Sequence, residues 1–408
     1  MNTTRQISIF SIPVLVAALG YFVDIYDLLL FGIIRIESLQ DLGLNSEQIA
    51  QKGLLLQQWQ MGGLLIGGII WGIMGDKRGR LSVLFGSIVL YSLANIANGF
   101  VHNVDQYMAA RFIAGIGLAG ELGAGITLVS ELIPKEKRGL ATSLVAGVGL
   151  LGAVAAYFIK QQFDWRTCYF IGGGLGVILL LMRVSVFESG MYKNMAQVKN
   201  VKRGSFLMFF TNGTRFKKYL LSILIGMPTW YVVGILIIFS KEFGKQFGIQ
   251  EPIDPGRGVM FAYVAISIGD VLIGVLSQYL QSRKKALYVF YGITLLGIIL
   301  FFTQNGGSAS YMYFICALLG FGTGFWAIFV TMGAEQFGTN LRATAATTIP
   351  NMVRGALVGI GLLFTTLQSS FSYVSSGIIT GVVVMAISIV AVAMIDETFG
   401  KDLNFYEE

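Results

Sequence analysis

Twelve apolar stretches, each long enough to cross a bilayer, divide this sequence and leave little room for any other architecture. A crossing helix needs roughly 20 residues to span ~30 Å of hydrocarbon, so twelve crossings take about 240 residues. The chain has 408, which leaves short loops, one longer connector and no expected extra domain. The first six stretches run Ile7–Ile34, Gly53–Gly75, Leu81–Val101, Gln106–Leu132, Leu140–Ile159 and Cys168–Phe187. After a basic connector come Tyr219–Phe239, Gly258–Leu280, Ala286–Phe302, Tyr311–Gly333, Ala343–Leu367 and Tyr373–Ile395. The expected fold class is an all-α membrane protein with twelve transmembrane helices in two six-helix halves.

Composition removes other classes. Charged residues make up 12% of the chain and hydrophobic ones 55%, and a charge share about half the ~25% of a soluble domain excludes a soluble enzyme. Two cysteines, Cys168 and Cys316, build neither a disulfide framework nor a thiolate metal site, and His102 alone forms no histidine cluster. No metal or other cofactor is expected. The net charge of +7 does not point to nucleic acid, because the cations lie between apolar segments rather than on one folded face. The first stretch is longer than a signal peptide's and contains Asp24 and Asp27, so it reads as a retained span.

Those cations set the topology. With the N-terminus inside, the inner loops hold Lys77, Arg78 and Arg80, then Lys135, Lys137 and Arg138, the basic connector, and Arg283, Lys284 and Lys285. The outer loops are much poorer, so the positive-inside rule places both termini in the cytoplasm, in a cytoplasmic (inner) membrane. The division is then a half over residues 1–187, a cytoplasmic linker over 188–216, a second half over 217–395 and a tail over 396–408. An internal repeat supports it. Glu131 precedes Arg138 by seven positions, Glu335 precedes Arg342 by seven, and Gly120 and Gly324 share the same offset of 204.

Several motifs point to one family. The loop after the second span reads Gly72-Ile-Met-Gly-Asp76-Lys77-Arg78-Gly79-Arg80, and the fourth span contains Arg111-Phe-Ile-Ala-Gly115-Ile-Gly117-Leu-Ala-Gly120-Glu121. The first resembles the G-x-x-x-D-R-x-G-R signature of the major facilitator superfamily, with Lys77 where arginine is usual. The second is similar to the R-x-x-x-G-x-G element of proton-coupled members, whose glycines let helices approach closely. Asp396-Glu397-Thr398-Phe-Gly400 resembles the E-T-x-G close of sugar-porter branches. Asp24-Ile-Tyr-Asp27 and Met352-Val-Arg354-Gly355 resemble elements of the aromatic-acid and metabolite proton symporters.

The resemblance implies two halves rocking about a midplane site, with Asp76, Arg80, Glu131, Arg138, Glu335 and Arg342 as gating charges that hold one face closed and must part when it opens. The second copy of the loop motif, Gly274 through Lys285, has Gln278 where the acid would fall, so its latch is expected to be weaker. Monomeric function is the family expectation.

A charge at the bilayer centre costs at least ~3 kcal/mol, so ionisable residues there are functional candidates. Arg354 lies twelve residues past Arg342, about 18 Å along a helix and so near the centre. Asp270 and Glu121 fall near the middle of their spans, and Asp24 and Asp27, three apart, share one helix face. Arg111 lies nearer the outer surface. Four acids against two bases leave a surplus of carboxylates, for which desolvation and mutual repulsion disfavour the anion. Such groups take and release protons, which makes Asp24, Asp27 and Glu121, modulated by Arg111, the proton-coupling candidates.

Arg354 has two readings: a bidentate hold on a substrate carboxylate or phosphate, or permanent neutralisation of Asp270 or another acid. Gln57, Trp59, Trp230, Tyr231, Trp326 and Asn351 stand at similar depth and complete the candidate substrate site with Arg354 and Asp270. His102 has no expected role, and the cysteines read as packing thiols.

The leading functional expectation is a secondary active transporter for a small organic solute, an organic anion first, coupled to protons. A porter for neutral sugars, polyols or zwitterions and an efflux porter remain alternatives in transport. A substrate-sensing receptor remains the alternative outside it. A membrane enzyme would need a nucleophile with a base, or a metal centre, and one loop histidine supplies neither.

Overall fold

The computed structural model describes residues 11–78, 80–121, 123, 125, 129, 135–183, 206–401 and 407. The amino-terminal helices are α1 (Ile12–Asp41), α2 (Ser46–Arg78), α3 (Arg80–Asn98), α4 (Val104–Leu118), α5 (Lys135–Gln162) and α6 (Trp165–Arg183). Next comes α7 (Gly213–Tyr231), prolonged by a π-helical segment over Val232–Ile237, and a short α8 (Ser240–Gln246). The rest are α9 (Pro255–Leu280), α10 (Arg283–Phe302), α11 (Ala309–Gly322), α12 (Trp326–Glu335), α13 (Thr339–Leu367) and α14 (Tyr373–Met394). Among the described residues there is no strand, and eight helical stretches can cross a membrane on length and apolar composition alone. They are the first crossing and the sixth to twelfth.

Helix ends follow local chemistry. Ser11 with Pro13 in the first turn starts α1, since proline lacks the N–H that the first turn leaves unpaired anyway. Asn103, Asn212, Asp254, Ser282, Ser308 and Ser372 each cap a helix by accepting from backbone N–H groups. Several helices outrun the apolar stretches. The first and second continue to Asp41 and Arg78, because polar end turns are tolerated once they leave the hydrocarbon.

Two crossings expected to be continuous are broken, and they break at equivalent places. The fourth is interrupted at Ala119–Gly120 and resumes at Glu121, and the tenth is interrupted at Thr323–Phe325. In the fourth, Ala119 and Gly120 donate to Gly115 and Gly117 at 3.3 and 3.4 Å. In the tenth, Thr323 and Gly324 donate to Leu319 and Phe321 at 3.0 Å. All four residues of one set map onto the other by 204 positions, which extends the repeat from sequence to backbone hydrogen bonding. Interrupted helices at matching points are how transporter folds bring backbone groups to the midplane.

Within the amino-terminal half α1 packs on α5, α2 on α4, and α3 on α4 and α6. The α2–α4 contact needs its glycines, because a Cβ at Gly115 would collide with the Gln60 carbonyl, as one at Gly63 would with that of Phe112. Contacts of α2 with α13 and of α9 with α5 and α1 join the halves.

Candidate functional site

The centre of the molecule is where α1 of one half meets α13 of the other. A guanidinium nitrogen of Arg354 lies 3.6 Å from an Asp24 carboxylate oxygen, with the side chains 1% and 0% exposed. Neither Asp24 oxygen has a hydrogen bond of good geometry, and Arg354 Nε is unpartnered, so the pair is buried but loose. Asn351, one turn before Arg354, accepts from its guanidinium at 3.4 Å and donates at 2.8 Å to the Ala119 carbonyl freed by the break in the fourth crossing. The Trp326 ring lies 5.8 Å from the guanidinium carbon. Gln57, Trp230 and Trp326 keep unpartnered polar atoms. Asp24, Arg354, Asn351, Gln57 and Trp230 are at most 2% exposed, so the site is buried.

Asp27 sits deeper in the amino-terminal half, against Gly172 of α6. Arg111 donates to its backbone carbonyl at 3.4 Å, and the guanidinium carbon lies 5.6 Å from the rings of Phe31 and Tyr169. Both Asp27 carboxylate oxygens lack a hydrogen bond of good geometry. Glu121, by contrast, is engaged. Arg183 Nη1 donates to Glu121 Oε2 at 3.0 Å, Nη2 closes a second contact on Oε1, and Nη1 also reaches the Leu84 carbonyl at 3.3 Å.

The ends of the halves away from the basic loops are clasped by Arg35. It reaches Glu242 at 2.7 Å, the Ile238 carbonyl at 3.2 Å and the Ile49 carbonyl at 3.5 Å, with its guanidinium 4.2 Å from the Phe239 ring centre. Glu242 and Phe239 follow the π-helical segment of the seventh crossing, a local irregularity of the kind concentrated at functional sites.

The family model of the Major Facilitator Superfamily matches residues 17–361. The chain belongs to that superfamily. It is 32% identical to the niacin transporter NiaP of Acinetobacter baylyi over 43% of this chain and 40% of that protein. It is 30% identical to the 3-(3-hydroxy-phenyl)propionate transporter of Escherichia coli over 62% and 64% respectively. The chain thus matches less than two thirds of either relative's length. In fold it is similar to the inward-open xylose transporter XylE of Escherichia coli, with a TM-score of 0.71, 18% identity and coverage of 97% and 98%. It is a multi-pass membrane protein.

The superfamily fold gathers some expected site residues and scatters others. Trp59, 44% exposed and edge-on to Phe112 at 5.6 Å, faces outward rather than into the centre, because it lies on the face of α2 opposite the buried Gln57. Tyr231 points into the twelfth crossing, where its hydroxyl donates to the Gly377 carbonyl at 2.8 Å. Asp270 is not the counter-ion of Arg354. It accepts from the Ala327 N–H at 3.0 Å and so caps α12 after the break.

The surplus of acids shrinks from two to one, since Arg183 is as buried as Arg111 and Arg354 and is paired with Glu121, while Arg35 is taken by Glu242. Asp24, Asp27 and Glu121 each face one arginine. Arg183 is the lone charge in its apolar stretch, Cys168–Phe187, and that is the signal in the sequence that marks it.

Of the gating residues, Glu131 lies outside the described residues, as do the side chains of Asp76, Arg80 and Arg138. In the second half Glu335 pairs with Arg283 at 2.7 Å, and Arg342 reaches the Phe337 carbonyl at 3.1 Å. Glu397 accepts from the Arg283 and Lys284 N–H groups at 3.1 and 3.2 Å. Where Gln278 stands in place of an acid, two carboxylates, Glu335 of α12 and Glu397 of the tail, meet the basic cluster instead.

Proposed function

We propose that this protein is a secondary active transporter that carries a small organic anion, together with protons, across a bacterial cytoplasmic membrane, with both termini inside. The observation that carries the reading is the loose Asp24–Arg354 pair across the two halves. A buried ion pair contributes little net stability, and this one lacks the hydrogen bonds that would tighten it. A substrate carboxylate that displaces Asp24 meets a guanidinium whose planar fork suits two parallel hydrogen bonds. Asn351, Gln57, Trp230 and Trp326 offer the remaining polar and aromatic contacts.

Asp27 carries the proton in this scheme. It is buried, it faces Arg111, and it lies away from the substrate position. Glu121, held by Arg183, belongs to the scaffold of its half. The E-T-x-G tail gives no support to a neutral-sugar porter, because its glutamate serves the architecture of α10.

Reconstitution into proteoliposomes tests this reading with nicotinate, 4-hydroxybenzoate and 3-(3-hydroxyphenyl)propionate as anionic probes and xylose as a neutral one. An imposed pH gradient, acid outside, should drive accumulation of at least one anion. Equal competition by the uncharged amide of that anion would count against Arg354, and uptake indifferent to collapse of the gradient would remove the protons. Asp27→Asn should preserve exchange of internal for external solute and abolish gradient-driven accumulation.

Alternating access requires the outer clasp to open. Hydrogen bonds to a charged group contribute about 1.5–3 kcal/mol, and 1.4 kcal/mol is a factor of ten. Arg35→Leu should therefore speed labelling of a cysteine placed at Gln57 by an impermeant maleimide from outside by roughly tenfold or more. An unchanged labelling rate would show that Arg35 does not hold that face shut.

A further inference from the structure

Three glutamines stand within one turn of α2, and two of them are engaged. Gln58 donates to the Val358 carbonyl of α13 and Gln60 to the Leu28 carbonyl of α1, each at 3.3 Å. Gln57 is 2% exposed, yet neither its amide nitrogen nor its amide oxygen has a hydrogen bond of good geometry. At 3.6 residues per turn its direction falls between theirs, ~100° from Gln58 and ~60° from Gln60. It therefore faces the seam where α1 meets α13. Leaving both atoms of a buried amide without partners is costly, and such a group calls for an explanation.

Contacts across the halves place this amide relative to Arg354. A Cβ at Gly234 would stand 3.3 Å from Gln57 Nε2 and 2.7 Å from Leu357 Cδ1. Gly234 follows Trp230 by four residues and Leu357 follows Arg354 by three, so the amide lies about one helical turn, roughly 5 Å, beyond both. On its other side is the Arg35 clasp. A Cβ at Gly53, four residues before Gln57, would meet Arg35 Cδ at 2.6 Å, and Ile238, four after Gly234, accepts from the guanidinium. Gln57 is thus enclosed between the clasp and the charge that holds the anion, and Trp230 Nε1 is a second unpartnered donor one turn away.

The two free amide atoms select a chemistry. A second carboxylate would use only the NH₂, and an ammonium only the oxygen. A hydroxyl accepts from the one and donates to the other. We propose that Gln57 is a specificity-determining residue of the solute site, reading a hydroxyl that the anion carries about one helical turn from its carboxylate, on the side of the Arg35 clasp. The inference rests on an anion held by Arg354. A hydroxylated organic acid fills both ends of the site, whereas its deoxy parent leaves the Gln57 amide unpaired, and sites built to bond a hydroxyl reject the analogue that lacks it.

Isothermal titration of the full chain in nanodiscs tests this with matched anions: benzoate against 3-hydroxybenzoate and 4-hydroxybenzoate, and 3-phenylpropionate against 3-(3-hydroxyphenyl)propionate. Wild type should bind at least one hydroxylated anion roughly tenfold or more tighter than its parent. Gln57→Met, close in volume and apolar, should fold, because trading an unsatisfied amide for an apolar group is close to neutral. It should abolish that preference by weakening the hydroxylated anion alone. Arg354→Lys should instead weaken both members of the pair alike, which separates the two ends of the site. Equal binding within every pair by wild type, a preference that survives in Gln57→Met, or a Gln57→Met variant that loses both members equally overturns the role of Gln57 and leaves the anion site standing. A wild type that binds none of these anions removes the anion reading and this inference with it.

Discussion

Arg183→Leu is expected to be the most destabilising single substitution among the buried charges. It strands Glu121, 1% exposed, without the guanidinium that occupies both its oxygens, and breaking a buried pair from one side costs about 3–5 kcal/mol. Removing both charges costs far less, because no unpaired charge remains. Glu121→Met combined with Arg183→Leu should therefore recover most of the loss, since apolar replacements of a buried pair are often neutral or stabilising. Unfolding midpoints of the two single variants and the double variant in detergent close the cycle. Additive losses would mean that the two groups do not depend on each other. Gly20→Ala gives an independent check, because a Cβ there would meet Glu121 Oε1 and Arg183 Nη2. It should destabilise the protein by the same route, and a neutral result would place the pair elsewhere.

Arg354 is expected to show the largest functional effect, and its dependence on Asp24 is the informative part. Arg354→Lys should weaken anion binding tenfold or more, about 1.4 kcal/mol, because an ammonium cannot present two parallel donors. Asp24→Asn removes the competitor for the guanidinium and should tighten binding of the same anion. Isothermal binding measurements on the two variants check both directions. Weaker binding in Asp24→Asn would mean that Asp24 assists the substrate rather than yielding to it, and an unchanged affinity in Arg354→Lys would remove the bidentate contact.

Much of this protein was legible as a linear pattern. The crossings are set by apolar length, and the glycines of the fourth span act through small size alone, as Gly115 does against Gln60. The 204-residue offset reappears as matching hydrogen bonds at two helix breaks. The breaks themselves were not visible, because the apolar pattern runs through Ala119 and Thr323 without interruption. Nor was the fate of Asp270, since its depth in a span says nothing of the helix start at Trp326 that it caps. Trp59 and Gln57 stand at the same depth, and helical phase alone exposes the one and buries the other.

The order of residues by itself determined the all-helical fold, its two halves and the membrane as solvent, because hydrophobic length and charge placement act locally and need no knowledge of neighbours. Only the tertiary structure decided which acid meets which arginine. Coulomb attraction and desolvation depend on distance and enclosure in three dimensions, and pairs such as Glu121 with Arg183 or Asp24 with Arg354 are far apart in the chain. The position of a charge along a helix states the cost of burying it, while the partner that offsets the cost is chosen by the packing of the helices.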